Sequence, residues 1–523
     1  MWELALADAV REGLRSGDLF LPQSGRHVSF SNLIYDDQQW AEDRETAYRE
    51  LSLPSAPEGA LDRLRREYDE VADRTERGLP RNEFAAVCDG KLRLKKTDAL
   101  PVSERVEELR RLLSSNFPQV RIERLLEDVD LMCGFTRAFR PLPGYPSRTQ
   151  PLYGALLAAL VAQGTNLGLM AMGQSAEGIT PEMLQHIMQW FVREETIKAA
   201  NTIMVDFHRR HPLSRVWGPG TMSSSDGQRF GVQGSSLMAS LYPRYFGYYD
   251  RAVTFYTHVA DQFSVFSTKI ISCQVREALY VLEGLLDNDT ILRPREHTTD
   301  THGCTEHLFG LCYLLGYSFM PRLADLKDRQ LYKMTKDRTY GRLDPLLKPC
   351  PDVELIDEQW DELARVAASL KNRTAPASVV LRRLMSSPND RLSRALLALG
   401  RLVKTIHILR YIHDQELRQR IQMQLNRGEH RHQLGPYVFF ANRGEIRSGD
   451  YVEIMNKATC LSLLSNAILV WNTAHLDRAV ERLRHAGEEV LDEDLAHISP
   501  LAHKHLIIHG TYSFDRGKSL VVA

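Results

Sequence analysis

The feature that most limits how this chain can fold is a change of period near residue 218. Upstream, apolar residues recur at helical spacing. Downstream, Met222, Ser224, Asp226, Gln228 and Phe230 alternate with small or polar residues, the two-residue period of a strand. Residues 251–259 and 263–271 are rich in Val, Ile, Phe, Tyr and Thr, with Ala260-Asp261-Gln262 between them, which predicts a hairpin or meander. A helix is expected at 275–286, a short strand near 291–299, and another helix at 306–315. Antiparallel strands followed by helix, strand and helix define an α/β unit. That order is compatible with the ribonuclease-H-like fold, although periodicity alone does not single it out.

Helices flank this unit on both sides. Residues 1–120 read as helices with polar connections, at 61–75 and 102–113 among others. Pro and Gly at 141–146 mark a loop. An Ala/Leu-rich buried helix is expected at 152–169, and a second at 181–204 with Pro in its first turn. Residues 321–400 turn basic, then Pro-broken, then helical at 355–370 and 377–385, and read as a helical insertion. A long helical stretch runs from 391 to about 434, and 490–523 mixes short helix and strand. With 523 residues, several domains are expected. The proposed segments are a helical linker or dimerisation-type region at 1–120, a helical region packing on the core at 121–215, the first part of the core at 216–320, the insertion at 321–400, the second part at 401–475, and a C-terminal region at 476–523.

Hydrophobic residues at 43% and charged residues at 25% fit an ordinary globular protein. No apolar run comes near the roughly 18 residues of a membrane span, so no membrane partner is expected. The start, Met1-Trp2-Glu3-Leu4-Ala5, lacks a signal peptide's basic head, which points to the cytoplasm. Seven cysteines without CxxC spacing argue for reduced thiols. Net charge is −1, so nucleic-acid binding needs local basic surfaces. Residues 321–348 carry eight Lys/Arg against four Asp, and 401–431 carry seven against three acids. Either run also reads as a solvated helix face.

Three carboxylates stand out. Leu417, Ile421 and Leu425 recur every four residues, and the next step is Glu429. A carboxylate is thereby expected to continue a buried stripe, where it must be paired or metal-bound. An ion pair with Arg427 or Arg431 is the alternative. Asp226, in Ser223-Ser224-Ser225-Asp226-Gly227-Gln228, reads equally as a turn. Asp300 lies at the end of the expected strand, where α/β folds place sites, or caps the following helix. Three carboxylates on separate elements can hold two magnesium ions about 4 Å apart, with manganese as a substitute.

Six strings in order closely resemble transposases of the Tn-three family of replicative bacterial transposons. They are 223–228 (SSSDGQ), 255–261 (FYTHVAD), 296–303 (EHTTDTHG), 425–433 (LNRGEHRHQ), 439–446 (FFANRGEI) and 451–473 (YVEIMNKATCLSLLSNAILVWNT). The resemblance runs from about Arg121 to Arg516. It implies a ribonuclease-H-like core whose Asp, Asp, Glu triad falls on Asp226, Asp300 and Glu429. It also implies magnesium, double-stranded DNA with terminal inverted repeats and a target, 3′-strand nicking followed by strand transfer, and a dimeric assembly. Family members extend further on the N-terminal side, where their DNA-end-binding domains lie. A truncated regulatory form that associates with full-length transposase is therefore the alternative, and a general nuclease on the same fold is a third reading.

Around the triad, Gln228, His297, His302, Arg427, His430 and Arg431 are candidates for contacting DNA or orienting the carboxylates, each with a plain structural role as the alternative. His297, His302, Cys304 and His307 cluster in sequence, but their spacing matches no common zinc motif. The aromatic run 242–249 could stack on bases or pack in a core.

Overall fold

The alternating stretch is a single strand, β1 (Met222–Val232), in this computed structural model. The structure describes residues 2–16, 19–21, 23, 29–95, 103–115, 117–142, 152–236, 238–241, 250–324 and 326–514. The aromatic run 242–249 lies outside them. Along its whole length β1 pairs antiparallel with β2 (Arg251–Ala260), from Ser223↔Ala260 to Val232↔Arg251. β2 in turn pairs with β3 (Val265–Ser272). The expected hairpin is thus present. Its turn closes through Phe263, which adopts a left-handed backbone with φ 67°.

Asp261 in that turn is buried, and its carboxylate accepts the backbone N–H groups of Gly220, Thr221 and Met222 at 2.9–3.3 Å. The turn is thereby stitched to the start of β1. No side chain fits at Gly218, because a Cβ there would lie 2.5 Å from the Asp261 carboxyl carbon.

Long helical expectations break where a side chain captures the backbone. The stretch at 181–204 is two helices, Pro181–Trp190 and α1 (Glu194–Arg210). Between them the Thr196 hydroxyl donates to Phe191 O and accepts from Arg193 N–H. After β3 come a short helix (Val281–Leu286), β4 (Glu296–Thr299), α2 (Glu306–Leu314) and β5 (Ser318–Phe319), which is parallel to β4. The stretch from 391 onward is α3 (Arg391–His413) and α4 (Gln415–Val438). Asp414 separates them with an extended backbone and accepts Leu417 N–H at 2.9 Å, so it caps the second helix. The longest helix is α5 (Tyr451–His485), capped by Asp450.

The chain divides into two compact units. One comprises Met1–Ala99, Glu277–Asp287 and Arg295–Met423; the other Leu100–Arg276, Asn288–Pro294 and Gln424–Ala523.

In the second unit the core is built around α5, which is buried without interruption from Ile454 to Thr473. Contrary to expectation, this helix is long and apolar enough to cross a membrane on length and composition alone. Its polar residues hide the pattern, and three of them tie the helix to neighbouring elements. Asn466 accepts Val265 N–H and donates to Val265 O, so one amide ties the helix to the start of β3. Asn472 donates to Pro500 O and Ala502 O. Thr473 meets the His208 ring at 3.0 Å, whose other nitrogen lies 3.2 Å from Ser264.

In the first unit α3 crosses α2 at two glycines. A Cβ at Gly400 would stand 1.8 Å from Glu306 O, and one at Gly310 would stand 2.8 Å from Leu396 O. Helix backbones approach this closely only without side chains between them.

Two predictions follow from these cores. Gly400→Ala should destabilise by about 1–3 kcal/mol or more, the cost of overpacking. Gly78→Ala, with open space around it, should change little; urea unfolding of both variants checks this. Burial also pushes the His208 ring down to about 3 and the His407 ring down to about 4, from an ordinary 6.5. Both are neutral in the fold, whereas an unfolded histidine takes a proton below about 6.5. Their contribution is complete above that value and is lost as pH falls toward the folded values, at up to about 1.4 kcal/mol per pH unit for each ring. Unfolding midpoints should therefore drop between neutral pH and about pH 5, and His208→Gln should shrink the drop.

Candidate active site

Asp226 is not in a turn. It lies mid-strand in β1, opposite Thr257 of β2. The three serines before it are buried and small, which lets α4 lie close against the strand. Gln424 donates to the Ser224 hydroxyl at 3.1 Å and to Val259 O at 3.0 Å. A Cβ at Gly428 would meet only the Ser224 hydroxyl, at 3.7 Å. Asp226 itself keeps 41% of its side chain exposed. Its Oδ1 accepts Gly227 N–H at 2.7 Å, and its Oδ2 lies 3.5 Å from His432 Nδ1.

The buried face of α4 differs from the expected one. Leu417 and Ile421 are buried, but Leu425 is only half-buried and Glu429 is exposed. Each four-residue step overshoots a full turn by about 40°, so Glu429 sits roughly 120° around the helix from Leu417. The face against β1 is instead Gln424, Arg427, Gly428, Arg431, Leu434, Gly435 and Val438. Glu429 is therefore a solvent-facing acid, not a buried charge in need of a partner. It stands one turn before His432 on the same side of the helix, and His432 reaches Asp226.

The residues around it are largely engaged with the protein. Gln228 Oε1 accepts from Arg431 Nη1 at 2.6 Å, and its Nε2 donates to His432 O at 3.0 Å. Both ends of that amide hold α4 to β1, and Gly435 leaves it room, since a Cβ there would lie 2.5 Å from Oε1. Arg427 is buried, donates to Trp217 O at 2.6 Å and Gln424 Oε1 at 2.8 Å, and lies over the Phe263 ring. The His430 ring also stacks on Phe263, and burial lowers its pKa.

Arg431 is fully buried. Burial pulls its guanidinium down to about 10, against the opposing pull of Asp226. Burial, with the Arg431 and Arg229 charges, pushes His432 down to about 3, so it is neutral. Arg431 Nε and Nη2, His430 Nδ1 and His432 Nε2 are buried with no hydrogen-bond partner among the described residues. Each such atom costs about 1–3 kcal/mol unless something meets it. Four of them fall within three residues that directly follow Glu429.

In the other unit Asp300 directly follows β4. Its Oδ1 accepts Gly303 N–H at 3.1 Å, so it caps the tight turn Thr301–Gly303. The cap of α2 is Thr305, not Asp300. His297 is buried and stacks on Phe319, away from solvent. The His302 side chain lies outside the described residues. Among the described residues no three of His, Cys, Asp and Glu form a metal-holding group. The Cys304 thiol donates to Thr301 O, and His307 meets Ser393, so neither is arranged as a zinc ligand. His432, which with His430 flanks Glu429 in the sequence and reads there as a residue that orients the carboxylates or plays a plain structural part, lies against Asp226. Asp226 and Asp300 are half-exposed and Glu429 is exposed. Accessible carboxylate oxygens of this kind are the hard donors that magnesium and manganese take.

Comparison with known proteins shows the family. Residues 124–512 match the model of the Tn3 transposase DDE domain. The chain is 34% identical over 519 residues to the transposase for transposon gamma-delta of Escherichia coli, covering 98% of this chain and 52% of that protein. It is 36% identical over 529 residues to the transposase for transposon Tn501 of Pseudomonas aeruginosa, covering 99% and 52%. It is 33% identical over 519 residues to the transposase for transposon Tn1546 of Enterococcus faecium, covering 99% and 52%. The chain spans about half the length of the curated relatives it matches. It belongs to the Tn3 transposase family and carries that family's DDE domain.

Proposed function

We propose that this chain is the catalytic part of a DNA transposase that nicks the 3′ strands at transposon inverted-repeat ends and joins them to target DNA. Asp226, Asp300 and Glu429 are its metal-binding carboxylates. The observation that carries the reading is the junction of β1 with α4. There a half-exposed Asp226 meets His432, one helical turn after the exposed Glu429, next to buried Arg431 donors that have no partner among the described residues. Two magnesium ions, or manganese in their place, supply activation of the attacking water or 3′-hydroxyl and stabilisation of the leaving oxygen.

The protein's own contribution is positional. The Gln228 amide fixes the register of α4 on β1 and with it the place of Glu429 relative to Asp226. The neutral His432 beside Asp226 leaves the carboxylate its charge for a cation. The tight turn capped by Asp300 holds the third carboxylate at a strand end. An antiparallel trio of strands followed along the chain by a helix and a parallel pair is the strand order of a ribonuclease-H-like core, with 321–400 as its helical insertion. The substrate is double-stranded DNA with two ends to be joined, which calls for two copies of the site and hence a homodimer, acting in the bacterial cytoplasm.

The test uses the full chain with an inverted-repeat duplex and a target plasmid. Asp226→Asn, Asp300→Asn and Glu429→Gln should each keep the fold and lower magnesium- or manganese-dependent nicking and joining by about a thousandfold or more, since a bound metal contributes several kcal/mol to the transition state. A variant that keeps full activity removes its residue from the site. Cleavage without joining, and without preference for inverted repeats, would favour a general nuclease instead.

A further inference from the structure

One cation beside Asp300 has no role in the reading above. β5 continues past its two assigned residues. Ser318 N–H donates to Arg295 O, Met320 N–H to His297 O and Arg322 N–H to Thr299 O, at 2.8, 2.8 and 2.9 Å. Carried forward from the parallel register Glu296↔Ser318, this ladder puts Arg322 directly opposite Asp300. Side chains of paired residues in neighbouring strands stand on the same face of the sheet.

The backbone at this point is held from two sides. The Thr301 hydroxyl donates to Arg322 O at 3.1 Å and accepts Ala324 N–H at 2.9 Å. The His407 ring donates through Nε2 to Pro321 O at 2.9 Å. A rigid backbone thus presents an exposed side chain. Arg401 and Lys404 both pair with Glu306, and Arg420 pairs with Glu296. Arg322 makes no side-chain hydrogen bond or ion pair with any described residue, Asp300 included. It is a charged fork on a fixed strand end, next to a carboxylate it does not neutralise.

We propose that Arg322 binds the phosphate of the DNA strand that lies beside Asp300, its guanidinium donating to the non-bridging oxygens. A guanidinium suits this ligand because its planar donors meet two phosphate oxygens at once, which a lysine ammonium cannot do with the same geometry. The assignment rests on the reading of Asp300 as a catalytic carboxylate. It adds a phosphate-binding residue to the same strand end.

The experiment measures binding of the full chain to a fluorescent nicked duplex bearing a 3′-hydroxyl, across a salt series. Losing one phosphate contact should flatten the plot of log affinity against log salt by about 0.9. Arg322→Ala should show that change. Arg322→Lys should keep the slope with weaker binding. Arg49→Ala, an exposed arginine elsewhere, should leave the slope alone. Asp300→Asn should keep the slope and lose metal-dependent joining. An unchanged slope in Arg322→Ala, an equal loss in Arg49→Ala, or no salt-dependent binding by the parent chain would overturn the proposal. Full joining by Asp300→Asn would instead overturn the reading of the carboxylate, and a slope loss in Arg322→Ala would then still mark a phosphate contact.

Discussion

The geometry of the candidate site depends on how α4 lies on β1, and that depends on one amide. Gln228 points from the strand into the helix and is bonded at both ends, to Arg431 and to the backbone of His432. Gly428 and Gly435 on the facing side of α4 have no side chain to hold the helix away. The packing is polar: Gln424, Arg427 and Arg431 are buried where a helix of ordinary periodicity would present Leu or Val. Polar contacts are directional, so they set the rotation of α4 about its own axis more sharply than apolar packing does. That rotation decides whether Glu429 faces solvent beside Asp226 or turns elsewhere.

How much of this was legible in the sequence depended on the kind of signal. Strands β1 to β3 were plain from alternation and β-branched residues, because a two-residue period leaves little choice once one face is buried. Helix ends were less so. Thr196 and Asp414 break helices through side-chain to backbone bonds, and hydrophobic period does not register such breaks. The burial of Glu429 was misread for a related reason. A strict four-residue spacing is not the 3.6-residue period of a helix, and three steps of it move a residue to another face. The membrane-length run in α5 is masked in the sequence by Asn466, Asn472 and Thr473. Each of these interruptions turns out to be a hydrogen bond to a neighbouring element.

The residues first considered for DNA contact divide by the same physics. Arg427 and Gln228 have their donors and acceptors turned inward, and His297 is enclosed by its own unit. Their residue types suited phosphate, but type does not reveal orientation. In the sequence Arg322 is one arginine in a basic run. Only the parallel ladder to β4 singles it out. Family resemblance proposes the triad, and the structure supplies the exposure of each of the three carboxylates.

The most direct measurement of the central claim is iron-directed cleavage of the chain itself. Ferrous ion in place of magnesium, with ascorbate and peroxide, cuts the backbone next to the groups that bind it. In the DNA-bound chain the account predicts cuts near Asp226, Asp300 and Glu429 together, all suppressed by excess magnesium. Cuts at one of these positions alone, or only near histidines and cysteines elsewhere, would contradict a shared metal site on the three carboxylates.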